Sequence, residues 1–176
     1  MRGGASLTSA WRVHIRPNGG TAGKDYQRSY DLCLRKSIIG IGWRVTEVYS
    51  RDPLSLRDYL GRVDPNDGSW NTAINRLCAM NQHDLVWIRS PRPYHYHLCR
   101  IIGPWDYRDA SEYREVDIVN VRPVEIIAIQ ATAVPREIEP RFQGGSTIEP
   151  IKDRHQLEAT IELWQRYHSD PLANAA

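Results

Sequence analysis

Four tryptophans stand where a planar ligand could be gripped. Trp43 ends a glycine-containing strand pattern, Trp70 opens a helical one, Trp87 lies inside DLVWIR, and Trp105 follows Gly103-Pro104. Aromatic faces of this kind hold a flipped or single-stranded base by stacking, worth roughly 1 to 3 kcal/mol per base. Arg44, Arg51, Arg57, Arg89, Arg92, Arg100, Arg108 and Arg114 interleave with these rings. Guanidinium groups so placed can touch phosphates at the rim of a base pocket. Each feature also has a plainer reading. Tryptophan is a large core residue, and surface arginine commonly faces Asp or Glu. Two or three tryptophans converging on one pocket is the sharper expectation.

Other chemistries find less support. His95, His97 and Cys99 are spaced by two, so on an extended segment they share a face and resemble a zinc set. Residues so spaced stand about 6 to 7 Å apart, too far for one tetrahedral ion to take all three without His83 or Cys78 from elsewhere. Barrel-lining residues are the better reading, and no metal or other cofactor is expected. IGIGW lacks the second glycine spacing and the Lys-Ser/Thr pair of a phosphate loop. No GxSxG elbow and no carboxylate pair in an apolar setting points to catalysis, so the chain reads as a binding module rather than an enzyme. Cys33, Cys78 and Cys99 are odd in number and scattered, which reads as reduced thiols.

The elements that must carry these residues follow from periodicity. Trp11 to Arg16 alternates as a half-buried strand, with Arg12, His14 and Arg16 on its polar side. Asp25 to Ser37 places Tyr26, Tyr30, Cys33 and Leu34 at helical spacing. Ile38 to Trp43 is an apolar strand whose Gly40 and Gly42 share a face open to close approach. Leu54 to Gly61 is a short helix. Ser69 is the expected N-cap of a helix to about Gln82 that buries Ala73, Ile74, Leu77 and Cys78. Asp84 to Arg89 and Tyr96 to Ile102 form an antiparallel hairpin around Ser90-Pro91-Arg92-Pro93. Asp117 to Arg122 and Glu125 to Gln130 are strands separated by a bend or bulge at Pro123. Residues 135–150 read as a linking loop, and Asp153 to His168 as an amphipathic helix with Leu157, Ile161 and Trp164 inward.

The 176 residues suit one globular domain. Its divisions are a flexible leader at 1–10, a barrel at 11–151, and a terminal helix at 152–170 on or beyond the barrel. The net charge of +2 selects no partner, although 20 of the 23 basic residues are arginine. Six Trp and nine Tyr against one Phe put the aromatic area into rings with a polar handle, suited to half-open pockets. No stretch approaches the roughly 20 apolar residues of a membrane span, and no secretory signal is visible, so the expected setting is cytoplasmic, away from membranes. Helices inserted near the start of a strand run favour a small α+β barrel.

The strand WRVHIRP, the segment IIGIGW ending in Trp43, the helix before HDLVWI, and YHLCRIIGPWDY leading to VDIVNVRPVEI together resemble the PUA-like superfamily. Within it the pattern is most similar to the EVE/YTH-like domains of modification-dependent restriction systems of the McrB and Mrr type. FQGGSTIEPI, at 142–151, is similar to the segment that closes such domains. One departure stands out: His83 occupies the place where the pattern has glycine before Asp84-Leu85-Val86. The resemblance implies an α+β fold, a small PUA-like mixed β-barrel with flanking helices. It also implies a cage that accepts a methylated or hydroxymethylated base extruded from DNA. Trp43 matches the cage tryptophan after the glycine strand, and Trp70, Trp87 and Trp105 are the further candidate walls. Arg44, Arg89 and Arg92 would touch the nucleic-acid backbone. The partner implied is modified DNA, with a nuclease or translocase as effector. An RNA-binding PUA-like module, and a regulatory subunit or enzyme for a nucleotide-like small molecule, are the alternatives.

Overall fold

The computed structural model describes residues 8–17, 26–45, 54–63, 68–91 and 93–169, the side chains of 68–70 excepted. Seven strands among these residues form one mixed sheet: β1 (Ala10–Val13), β2 (Ile38–Ile41), β3 (Leu85–Arg89), β4 (Tyr96–Ile101), β5 (Asp106–Tyr107), β6 (Asn120–Ile129) and β7 (Ile148–Ile151). The order is β2-β6-β4-β3-β1-β7, with β5 also on β6. Only β1 and β3 pair in parallel. The sheet curls into a half-barrel flanked by five helices: α1 (Tyr26–Lys36), α2 (Leu56–Leu60), α3 (Gly68–Ala79), α4 (Ser111–Glu115) and α5 (Arg154–Ser169). The expected α+β class with helices around a curved sheet is therefore present.

Strand alternation divides the interior in two. Val86, Ile88, Cys99 and Ile101 point into the larger core, shared with Tyr30 and Cys33 of α1, Tyr59 of α2, and Ile74 and Leu77 of α3. Their neighbours Leu85, Trp87 and Leu98 point the other way, onto Leu163, Trp164 and Tyr167 of α5 together with Ile138 and Phe142. A side-chain period of two, covered on both faces, produces this division. The terminal helix thus completes a core of its own. Its buried stripe runs through Thr160, Leu163, Trp164 and Tyr167, while Leu157 and Ile161 are half-buried at its border.

Close packing explains several strand features. A Cβ on Gly40 would meet Ile118 Cγ2 at 2.5 Å and the Asn120 carbonyl oxygen at 3.1 Å. The close approach expected at this glycine is made by the chain itself. Pro123 neither ends nor bulges β6, contrary to expectation, because the strand changes partner there. Before Pro123 it pairs with β2 and β5, and after it with β4. The Pro123 carbonyl still accepts from Ile102 N at 3.0 Å. Arg122 closes α3: its guanidinium donates to the carbonyls of Leu77 and Met80, both at 3.0 Å, and its Nε to Gly103 O at 2.8 Å. A cation at the C-terminal carbonyls of a helix satisfies orphan acceptors and complements the dipole.

Other boundaries move for identifiable reasons. Ala10 opens β1, and the Ser9 carbonyl accepts from Leu85 N at 2.9 Å. Asp84, 1% exposed, accepts from Ser9 N at 3.0 Å, Trp11 Nε1 at 2.9 Å and Asn81 N at 2.9 Å. Arg12, read as solvent-facing, is fully buried because β1 lies between β3 and β7. Its guanidinium pairs with Glu149 Oε2 at 2.7 Å and donates to the Ser146 carbonyl. Helix α3 begins at Gly68, one residue before the expected cap. The segment expected to be a linking loop, 135–150, contains a short 3-10 turn at Glu139–Gln143 and most of β7. Among the described residues no helix is long and apolar enough to cross a membrane.

Candidate functional site

The first strand turn of β6 gathers an aromatic cluster. Strand β2 pairs Ile41 with Asn120, which brings Gly42 and Trp43 over the start of β6. Asn120, fully buried, uses its whole amide: Nδ2 donates to the Gly42 carbonyl at 2.6 Å and to the Tyr59 hydroxyl at 3.0 Å, while Oδ1 accepts from Trp105 Nε1 at 3.2 Å. The Tyr59 hydroxyl in turn donates to the Trp43 carbonyl at 2.9 Å. Tyr107 accepts from Val45 N at 3.2 Å. The Tyr59 ring lies 5.6 Å from that of Trp105 and 5.4 Å from that of Tyr107. Burial raises the ionisation of the Tyr59 and Tyr107 hydroxyls, so both serve as neutral donors and acceptors.

Within this frame Trp43 has a φ of 64°. A bulky residue in the left-handed region is a genuine outlier, worth of order 1 to 3 kcal/mol of strain, and persists only where its surroundings over-determine it. The two hydrogen bonds to the carbonyls of Gly42 and Trp43 supply that restraint.

Trp43 and Trp105 lie in the same core cluster, Trp43 6% exposed and Trp105 half-buried. Trp87 does not join them and is corrected to a core residue. It is fully buried on the opposite sheet face, and its Nε1 donates to Thr160 Oγ1 of α5 at 3.0 Å. Its indole points away from the Trp43 cluster because β3 alternates. Trp70 falls in the first turn of α3, and its side chain lies outside the described residues, as does the whole of Arg92.

No protein-family model and no curated protein matches the chain.

Among the arginines, Arg44 is exposed beside Trp43. Arg89 lies elsewhere. The register Arg89↔Tyr96↔Ile129 puts it at the far end of β6, roughly 30 Å along the strand from Asn120 at about 3.3 Å per residue. It therefore stands apart from the Trp43 cluster. Arg100, Arg108 and Arg114 follow the plainer reading, facing Glu125 at 2.6 Å, Asp106 at 2.9 Å and Asp109 at 3.9 Å.

Of the histidine and cysteine positions, Cys33 and Cys99 are fully buried, His97 is half-buried and His95 is exposed. His97 Nδ1 lies 2.5 Å from the Tyr30 hydroxyl, and burial, with a smaller contribution from His95, lowers its ionisation to about 4. Burial raises the thiols of Cys33 and Cys99. No cluster among the described residues is arranged to hold a metal ion. Sequence reasoning passed over Tyr59, Tyr107 and Asn120. A signal existed for Asn120, a lone amide inside the apolar run IVNV, since a polar residue buried in a strand must find partners.

Proposed function

We propose that the protein is a nucleic-acid-binding module that takes a modified base of DNA, methylated or hydroxymethylated, into the aromatic cluster at Trp43. The observation that carries this reading is the restrained left-handed backbone of Trp43, fixed by Asn120 and Tyr59 beside the half-buried Trp105. Backbone strain held by a polar network fits a binding site better than a packing position, because packing alone gains nothing from it. Trp105 supplies the ring that solvent already reaches. Trp43, nearly covered, becomes a second wall when an incoming base displaces the groups over it. Recognition needs extrusion and stacking only, with no covalent step.

The test is a titration of duplexes carrying 5-methylcytosine, 5-hydroxymethylcytosine, N6-methyladenine or no modification. One modified duplex should bind at least about tenfold more tightly than the plain one, and Trp105→Ala should remove that preference, one stacked ring being worth about 1 to 3 kcal/mol. Equal affinity for all four duplexes overturns the reading.

A further inference from the structure

At the hairpin end of the sheet, His14, Arg16, Tyr26, Arg89, Tyr94 and Phe142 line a cleft of about 370 Å³. We infer that this cleft is a separate binding site for a phosphate group carried on a nucleotide-sized ligand, with the guanidinium groups of Arg16 and Arg89 as its anchors.

The cleft holds unanswered charge. Arg16 and Arg89 are both half-buried, and among the described residues neither faces a carboxylate and no acidic side chain lines the cleft. Elsewhere in the molecule buried or half-buried guanidinium groups are answered: Arg12 and Arg141 share Glu149, Arg100 takes Glu125, and Arg122 takes three main-chain carbonyls. Partly desolvated cations without a counter-charge are costly, and an arriving anion relieves both at once. Arg16 gives Nη1 to the Gly145 carbonyl at 3.0 Å, and Arg89 gives Nη2 to the Phe142 carbonyl at 3.3 Å. A guanidinium has five N–H donors, so each retains donors for a phosphate.

The cleft is also preorganised. The Arg89 guanidinium carbon lies 4.0 Å from the centre of the Tyr94 ring and 4.8 Å from that of Phe142, so its plane is held by two aromatic side chains. Such a fork loses little freedom on binding an oxyanion. His14 adds no positive charge at neutral pH. Burial, then Arg12 and Arg16, lower its ionisation to about 3, and its Nε2 faces the Gly144 carbonyl at 3.2 Å. It acts as a neutral wall. Tyr94 is 40% exposed and lines the cleft, so an aromatic side chain stands at its rim beside the guanidinium of Arg89. The volume falls in the range of small-ligand pockets.

Calorimetry with adenosine 5′-monophosphate, adenosine and inorganic phosphate tests the assignment. The nucleotide should bind one to one, at least about tenfold more tightly than adenosine or phosphate alone, and more weakly as salt rises. Arg16→Gln and Arg89→Gln should each raise the Kd about tenfold or more. If removal of the stacked Arg89 unfolds the hairpin end, Arg16→Gln carries the test, since its contact is a single exposed hydrogen bond. A short 5′-phosphorylated single strand serves as a second arm. Competition between it and the nucleotide at the same arginines identifies a strand end as a source of the phosphate, and binding of the nucleotide alone identifies a free small molecule. The inference is overturned if adenosine binds as tightly as its phosphate, if the variants bind like the parent, or if amide shifts on titration map to Trp105 and Tyr107 instead of Arg16, Arg89 and Tyr94.

Discussion

The two ends of β6 solve opposite problems. At Asn120 the side-chain amide is fully partnered, tying Gly42, Tyr59 and Trp105, and strain sits in the backbone at Trp43. Near Ile129 the neighbouring cleft has no positive-φ residue among those described, and its charge is unanswered there, with the Arg89 guanidinium carbon 4.0 Å and 4.8 Å from the centres of the Tyr94 and Phe142 rings. One end stores its cost in conformation and the other in electrostatics. The difference teaches that one sheet can hold two local costs apart, a strained backbone position at one end and two guanidinium groups facing no described carboxylate at the other.

The largest effect that sharpens this contrast comes from a tryptophan belonging to neither end. Trp87→Ala should cost about 3 to 5 kcal/mol, read from urea unfolding, because a fully buried indole leaves a cavity and takes away the partner of Thr160. Trp105→Ala should cost far less stability while abolishing any preference for a modified base. If the two substitutions behave alike, Trp105 is a core residue and the Asn120 end loses its claim as a site.

Acid should attack the cleft end first. His14 and His97 both lie toward the hairpin end, with ionisation lowered by burial to about 3 and about 4. Their unfolded value is near 6.5, so as pH falls from 6.5 the unfolded chain takes up protons that the folded chain refuses. Stability is then lost at up to about 1.4 kcal/mol per pH unit per histidine. The loss continues to about pH 4 for His97 and about pH 3 for His14, and stability is regained as pH rises back through 6.5. His97→Phe should reduce the slope between pH 6 and 4, and hydrogen exchange at pH 4.5 should show the hairpin end opening before the Asn120 end. Uniform exchange across the sheet would separate neither end from the other.

A finer cut isolates the network. Tyr59→Phe keeps the ring but removes the donor to the Trp43 carbonyl and the acceptor for Asn120. The expected cost is about 1 to 2 kcal/mol, the range for a buried group left unsatisfied. Base preference should fall with it, while binding in the Arg89 cleft stays unchanged. A parallel loss in the cleft would mean that the two ends are coupled.

Much of the scaffold was legible because it follows local rules. The hairpin of β3 and β4, the short capped helix at Leu56–Leu60 and the terminal helix follow from alternation, capping and amphipathic spacing. What escaped depended on partners distant in sequence. Arg12 reads as polar surface until Glu149, 137 residues away, is seen opposite it. Pro123 reads as a break until β6 is seen changing partners beside it. The site divided in the same way: Trp43 follows from its strand, whereas Asn120, Tyr59 and Tyr107 become a cluster only when β2, α2, β5 and β6 meet. Arg89 and Trp87, adjacent to Trp43 in reasoning about composition, are separated from it by strand length and by strand parity.

The smallest effect tests the turn that leads into β3. His83 has a φ of 76°, in the region where a side chain is strained and glycine is not. Its backbone N–H donates to Ile101 O at 2.9 Å, so the conformation is fixed by the pairing of β3 with β4 rather than chosen by the residue. Glycine there would keep the hydrogen bond and relieve the strain, while adding freedom to the unfolded chain. The first effect exceeds the second for a non-glycine residue held in this region, so His83→Gly should raise stability by roughly 0.5 to 1 kcal/mol. Thermal unfolding at fixed pH reads it directly. The turn is remote from both ends of β6 in register, and affinities at the Trp43 cluster and the Arg89 cleft should not move. A loss of stability would mean that the imidazole makes a contribution larger than the strain it imposes.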